Sequence, residues 1–296
     1  MTEGAVIREA TELRSSASFG GVVPSAAVAR DASALVAALA VEHHAEGAAV
    51  PLLVLSAAPG VLAWEPLDDA VVRDDRDRAY GVTLLHGQAG LGSLQASLWI
   101  EPAPPADARV LEVSVPSLSR LAPARGGSGV TRQLSGGPWD LVVDLVPPRT
   151  AAPVPARPRS EPGASEGAAR VPSRSLGAFV DLVPVGQARI GADVTVCLWA
   201  IERYDDLALL TLAMLGPVEG AIPGEAAEFG VWDDRGNAYA AALEHAGSAD
   251  GWSEMVVRIA PALDPEATRL AVRVVASLPS GDASEFLFGI ALPFPT

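Results

Sequence analysis

An all-β chain, with one antiparallel sandwich written twice in tandem, is what this sequence predicts. Three observations predict it: a stretch of the first half recurs in the second, apolar residues inside each copy alternate with a period of two, and a Pro/Arg/Ser-rich stretch separates the copies.

The repeat is read directly from the residues. Val72 to Val115 aligns without a gap to Val231 to Val274, with about 16 identities in roughly 44 positions. Asp74-Asp75-Arg76 matches Asp233-Asp234-Arg235, Ala79-Tyr80 matches Ala238-Tyr239, and Leu84 and His86 match Leu243 and His245. Upstream the pairing continues after a one-residue shift: Phe19, Val23, Pro24, Val36, Ala40 and Glu42 fall on Phe179, Val183, Pro184, Val196, Ala200 and Glu202. Downstream, Trp139 to Pro147 is matched with Glu285 to Pro293. The expected division is an N-terminal tail over 1–18, one copy over 19–148, a linker over 149–175 and the second copy over 176–296.

Within each copy the pattern is that of strands. Met255 to Ile259 and Leu270 to Val274 place large apolar residues at alternate positions, with Arg258 and Arg273 on the opposite face. Asp233 to Tyr239 sets turn-forming residues between two apolar runs, a hairpin signal. Leu35 to Val41 reads as helix on Ala and Leu content, but its partner Thr195 to Ile201 is β-branched and aromatic, which decides for strand in both copies. The stretch Leu118 to Gly136, rich in Gly, Ser and Arg and present only in the first copy, is expected to be a surface loop. The linker has several prolines and five Arg against two Glu, and is expected to be a semi-stiff spacer.

A strand followed by Asp-x-x-Gly-Asn-x-Tyr ending at Tyr239, a hairpin return, and Pro261-x-x-x-Pro265 leading to another strand resembles the bacterial immunoglobulin-like domains. The resemblance implies two tandem immunoglobulin-like antiparallel β-sandwiches related by internal duplication. It also implies adhesion, binding or scaffolding more than catalysis, and brings no catalytic motif. The first copy departs from the pattern, with Asp77-Arg78 where Gly236-Asn237 stand.

Composition narrows the function. The 296 residues are 49% apolar with a mean hydropathy of +0.28, enough for a core in each of two domains. A net charge of -15 and a pI near 4.6 oppose binding to nucleic acid or to an anionic membrane. All 21 basic residues are Arg, so no Lys exists for Schiff-base chemistry or a Walker-type phosphate loop. Cys197, the only cysteine, excludes an intramolecular disulfide and a Cys-based zinc site, and its apolar strand makes it a core residue. The N-terminal residues lack the basic start and apolar run of a signal peptide, and no stretch reaches ~18 uninterrupted apolar residues, so the cytoplasm is the expected location.

The candidate sites resolve mainly into structure. Asp68, Asp69, Asp74, Asp75 and Asp77, like Asp233 and Asp234, offer carboxylates for calcium, but their spacing is not that of an EF-hand and an Arg adjoins each pair; a solvated turn is the expected role. His86 and His245 share one repeat position, which points to structure. His43 and His44, placed in the turn after a strand, lie near Glu46, but neighbours on a strand point to opposite faces. No Gly-x-Ser-x-Gly elbow is present, and Gly87 to Gly92 belongs to a hairpin rather than a phosphate cradle.

The differences between copies are more telling. Trp99 stands outward at the position of Arg258, which suggests a covered patch. Val194 to Ile201 is apolar on both faces, Trp199 and Ile201 on one and Val196, Leu198 and Ala200 on the other. The expected function is a non-enzymatic interaction or scaffold protein, with Trp99, Val196, Leu198, Arg258 and Arg273 as interaction residues. Its partner is another protein or a second copy as a homodimer, and no catalytic residue, metal or cofactor is expected. A small-ligand or calcium-binding module is the alternative, and a hydrolase using His43 or His44 follows it.

Overall fold

The computed structural model of the chain describes residues 19–25, 27–56, 61–63, 67, 69–89, 93–123, 130–145, 153–156, 178–191, 193–216, 227–249, 252–277 and 283–293. The expected tail over 1–18, Asp68, the glycines at 90 and 92, and the linker apart from residues 153–156 lie outside them. The chain divides into two compact units, Met1–Pro148 and Arg149–Thr296. Among the described residues the regular structure is almost wholly strand, and no helix is long and apolar enough to cross a membrane.

In the first unit the strands are β1 (Phe19–Pro24), β2 (Val28–Arg30), β3 (Ala34–Ala38), β4 (Ala40–His44), β5 (Ala48–Ser56), β6 (Val61–Ala63), β7 (Val71–Asp74), β8 (Ala79–Ala89), β9 (Ser93–Glu101), β10 (Val110–Val115), β11 (Leu118–Pro123), β12 (Val130–Ser135) and β13 (Trp139–Asp144). The main antiparallel path runs β1-β4-β5-β9-β8-β7-β10-β13, with β2 on β3 and β3 on β5. In the second unit β14 (Phe179–Ile190), β15 (Thr195–Tyr204), β16 (Ala208–Leu215), β17 (Ala227–Asp233), β18 (Ala238–Ala249), β19 (Trp252–Ala260), β20 (Arg269–Ser277) and β21 (Ala283–Ala291) run in the order β14-β15-β16-β19-β18-β17-β20-β21. The two paths are the same path. Strands β1 and β2 together occupy the place of β14, and β3 and β4 that of β15.

The registers agree residue by residue with the sequence repeat. Leu52 pairs with Ala96 as Leu212 pairs with Met255, and Val113 pairs with Val72 as Val272 pairs with Val231. The closing strand is the exception, because Val115 pairs with Trp139 and Val274 with Phe286. Trp139 therefore corresponds to Phe286, one residue beyond the match read from sequence. In an alternating strand that single step separates core from surface.

Each sheet turns over at one hairpin. Strands β7 and β8 share only the pairs Val72–Tyr80 and Arg73–Ala79, and β17 and β18 only Val231–Tyr239 and Trp232–Ala238. Beyond those pairs β8 and β18 follow β9 and β19, while β7 and β17 follow β10 and β20. The result is a near-barrel around a single interior. In the first unit β5 and β9 contribute Val50, Leu52, Leu98 and Ile100 to it, and β7, β10 and β13 contribute Val72, Leu111, Val113, Leu141 and Val143. In the second, Leu210, Leu212, Val257 and Ile259 meet Val231, Leu270, Val272, Phe288 and Ile290. Gln187 Nε2 donates to the Gly289 carbonyl at 2.7 Å, linking the first strand of the second unit to the last.

Two local expectations are corrected. Leu118 to Gly136 is a hairpin, since β11 pairs with β12 and with β6 in a separate three-stranded sheet. The residues around its glycines, from Leu118 to Leu121 and Val130 to Leu134, have enough β-forming character to pair once β6 offers an edge. In β15 the ladder shifts between Leu198 and Ala200, so Trp199 is an extra residue and the alternation changes phase. Ile201 consequently enters the core with Val196 and Leu198 instead of lying opposite them.

The turn of the β7–β8 hairpin keeps its form despite the changed residues. Gly236 has φ +89°, and Asp77, at the matching position, adopts φ +59°. Asp is among the side chains that tolerate the left-handed region. A Cβ on Gly236 meets no atom within 4 Å, so substitution there is a test of backbone conformation alone. Gly236→Ala is expected to lower unfolding stability by about 1 kcal/mol, while Asp77→Gly leaves it unchanged or raises it by about 0.5 kcal/mol. Urea titrations of the two variants check both.

Candidate functional site

The Asp-Asp-Arg motif, the sequence's most site-like feature, forms the corner where each sheet turns over. Asp74 and Asp233 are buried. Asp74 accepts from the backbone N–H of Arg76 (2.9 Å) and Arg78 (3.0 Å), from Arg78 Nε, and from the Tyr80 hydroxyl at 2.9 Å. Asp233 accepts from the N–H of Arg235 (3.0 Å) and Asn237 (2.9 Å), from Asn237 Nδ2 at 2.8 Å, and from the Tyr239 hydroxyl at 2.6 Å. Four donors occupy each carboxylate, which uses the lone pairs that a cation would need. The second Asp of each pair reaches the loop before β10 or β20: Asp75 accepts from Arg109 N, and Asp234 from Thr268 N, both at 3.1 Å. Among the described residues no group of three or more His, Cys, Asp or Glu is placed to hold a metal ion.

This geometry sets the protonation of the corner. Burial pushes the Asp74 carboxyl up, but the hydrogen bonds from Arg78, Arg76 and Tyr80 outweigh it and hold the group at about 2. Burial first, and then the bond to Asp74, pushes the Tyr80 hydroxyl up to about 12. Tyr239 is raised by the same two causes.

The histidines divide by face. Both end strand β4 rather than sitting in the following turn, because the strand runs through His44 before Ala45 and Glu46 reverse it. His44 is buried with Nε2 3.6 Å from Glu42 Oε2, and its ring packs on Phe19 and Trp99 with centroids 5.7 and 5.5 Å away. His43 is half-buried on the other face, where burial and then the neighbouring His44 lower its pKa. Strand β8 carries His86 and β18 carries His245, each just after a ladder shift at Leu85 and Glu244.

Trp99 and Arg258 stand outward from their cores, as expected, and both are buried. Their partners change with them. Trp99 packs with Leu85 and Ala49 in a small apolar cluster, and Gly47 lies so close to the indole that a Cβ there would sit 2.5 Å from Cζ2. Arg258 instead holds Glu244, the residue matching Leu85, with Nε 2.8 Å from Oε2 and Nη2 donating to Oε1 at 2.9 Å. An apolar pair in one copy is thus an ion pair in the other. The same outer face of the second unit carries Tyr204, Leu207, Leu209 and Val256, with Phe179 against Tyr204 at 5.7 Å. Tyr204 donates to Glu202 at 2.9 Å, and burial, then Glu202, raises its pKa.

The remaining interaction candidates lie elsewhere. Val196 and Leu198 face the interior of the second unit. Arg273 is half-exposed on the outer side of β20, with Nε 3.1 Å from Glu285 Oε2. Sequence reasoning did not single out Trp232, which is 5% exposed and donates its indole N–H to the carbonyl of Pro155 at 3.2 Å. The available signal was the mismatch of Trp232 with Arg73 inside an otherwise well-matched stretch.

The chain matches no protein-family model and no curated protein. A solved structure described as a conserved domain protein from Bacillus anthracis is similar at 10% identity and a TM-score of 0.33, covering 93% of this chain and 92% of that one.

The corner should respond to pH at both ends. The depressed Asp74 contributes stability that is present above the ordinary carboxyl value of 3.8 and drains as pH falls from there through about 2. The raised Tyr80 contributes stability that is present below 10 and is lost as pH rises through about 12. Tyr239→Phe should cost about 1.5–3 kcal/mol, the value of a hydrogen bond to a charged group, and flatten the alkaline limb; denaturant titrations across pH read both effects. For the exchanged pair, Arg258→Trp should destabilise, and adding Glu244→Leu should recover about 1–2 kcal/mol of that loss in a double-mutant cycle.

Proposed function

We propose that the chain is a non-enzymatic interaction or scaffold protein whose two copies are immunoglobulin-like sandwiches acting through protein–protein contacts. The observation that carries this reading is the set of large apolar side chains left exposed on strands of both units, Val71 and Val142 (62%) in the first and Val180 and Ile190 (76%) in the second. Sheet faces exposed to water keep alternating polar residues, whereas every residue of β15 and β16 is buried. Those residues are packed within the single chain, so a partner meets the exposed apolar side chains and not these.

The immunoglobulin-like reading is supported by the hairpin whose strands depart to different neighbours, and by a core filled from both sides of that division. The protein partner, or a second copy as a homodimer, uses the outer faces, and the cytoplasm is the location this reading takes.

Trp99 and Leu198 are buried, so the contact is tested at the exposed Val142 and Ile190 instead. Val142→Arg and Ile190→Glu are expected to lower binding of a hydrophobic dye several-fold and to shift the sedimentation coefficient, with the strand signal in circular dichroism retained. Unchanged dye binding and sedimentation in both variants would overturn the proposal.

A further inference from the structure

The outer side of β17, β20 and β21 differs sharply between the copies. In the first unit the matching row is Arg73, Glu112 and Val142, all exposed, with Val142 at 62%. In the second it is Trp232, Ala271 and Gly289, all buried. Gly230, where the first unit has Val71, lies beside the Trp232 ring, since a Cβ on it would be 3.7 Å from Cζ3. Three small residues thus leave room around one large aromatic with a donor at its edge. Small residues alone define no ligand, but this seat is filled.

Its occupant is Pro155, in the stretch 153–156 that sequence reading assigned to the spacer, with Pro153, Val154 and Ala156 exposed on either side of it. Pro155 is buried, and its carbonyl accepts the Trp232 indole N–H at 3.2 Å. Pro153 and Pro155 have fixed φ and no N–H, so a segment of this kind cannot join a sheet through those residues and loses little entropy when it docks. An aromatic shelf with an edge donor is the chemistry that recognises such a segment, through ring contact with proline and a hydrogen bond to its carbonyl.

We propose that this face is a docking site for a Pro-x-Pro segment of a partner protein, and that the chain's own Pro153–Ala156 is a resident competitor. Tethering gives the resident segment an effective concentration in the mM range, so a partner segment binds measurably only when it outcompetes the tether or the tether is released. The face is distinct from the exposed apolar residues of the function proposed above, and either proposal can fail without the other.

The test uses the full chain with Pro153→Gly and Pro155→Gly, which releases the segment without touching a strand. The probe is a fluorescein-labelled peptide of the sequence of residues 151–159, Ala-Ala-Pro-Val-Pro-Ala-Arg-Pro-Arg. Fluorescence anisotropy is expected to show saturable binding to the released chain at least ~10-fold tighter than to the unaltered chain. Adding Trp232→Phe, which keeps a ring and removes the N–H, should weaken binding several-fold, and replacing both prolines of the Pro-Val-Pro core in the peptide by Ala should abolish it. No saturable binding to the released chain, equal binding to both chains, or indifference to Trp232→Phe would each overturn the proposal. The indole N–H resonance of Trp232, assigned by its absence in Trp232→Phe, must move on release and return on adding peptide, which shows that the released chain is folded.

Discussion

A buried carboxylate that accepts hydrogen bonds from a tyrosine and from two backbone N–H groups is the constraint on which each unit rests. At the β7–β8 and β17–β18 hairpins the sheet divides after two residue pairs, leaving backbone donors that the ladder does not satisfy. Burying such donors unpaired would be costly, and Asp74 and Asp233 satisfy them. Tyr80 and Tyr239 meet the same carboxylates from the strand that leaves the turn, while Asp75 and Asp234 tie the turn to the next loop. The hairpin, the change of neighbours and the next connection are fixed together. The corner also varies in detail: Asp264 N donates to Tyr239 at 3.0 Å, whereas the matching residue in the first copy is Pro105, which has no N–H.

Outside that frame the copies diverge by exchanging contacts in pairs. Leu85 with Trp99 becomes Glu244 with Arg258, and Gly21 opposite His43 becomes Asp181 bonded to Arg203. Changing one member alone would strand a buried charge or open a gap, so the partner changes too. The row Arg73, Glu112 and Val142 becomes Trp232, Ala271 and Gly289 on the same logic, with a proline segment completing the set. One fold therefore presents different chemistry on equivalent faces.

Much of the fold was legible because the information is local and occurs twice. Alternation in Met255 to Ile259 identifies strands, and the paired Asp-Asp-Arg and Tyr positions locate the hairpin. The second copy also resolved Leu35 to Val41, whose Ala and Leu content alone would have favoured helix. The faces were less legible. Alternation places Ile201 opposite Leu198, but the extra residue at Trp199 reverses it, and a bulge is defined by the partner strand. The hairpin of β11 and β12 likewise exists through its pairing with β6 and not through its composition.

The sequence by itself determined the all-β class, the tandem repeat, the residue-by-residue match of Val72 to Val115 with Val231 to Val274, and the turn at which each sheet divides. These follow from side-chain period and turn chemistry, which act between near neighbours. Only the tertiary structure decided that the acidic motif is a saturated hydrogen-bond corner, which face each residue of β15 occupies, and that Pro155 meets Trp232 across 77 positions of chain. Those outcomes depend on donors, acceptors and cavities supplied by distant segments, and no local pattern records which segment will supply them.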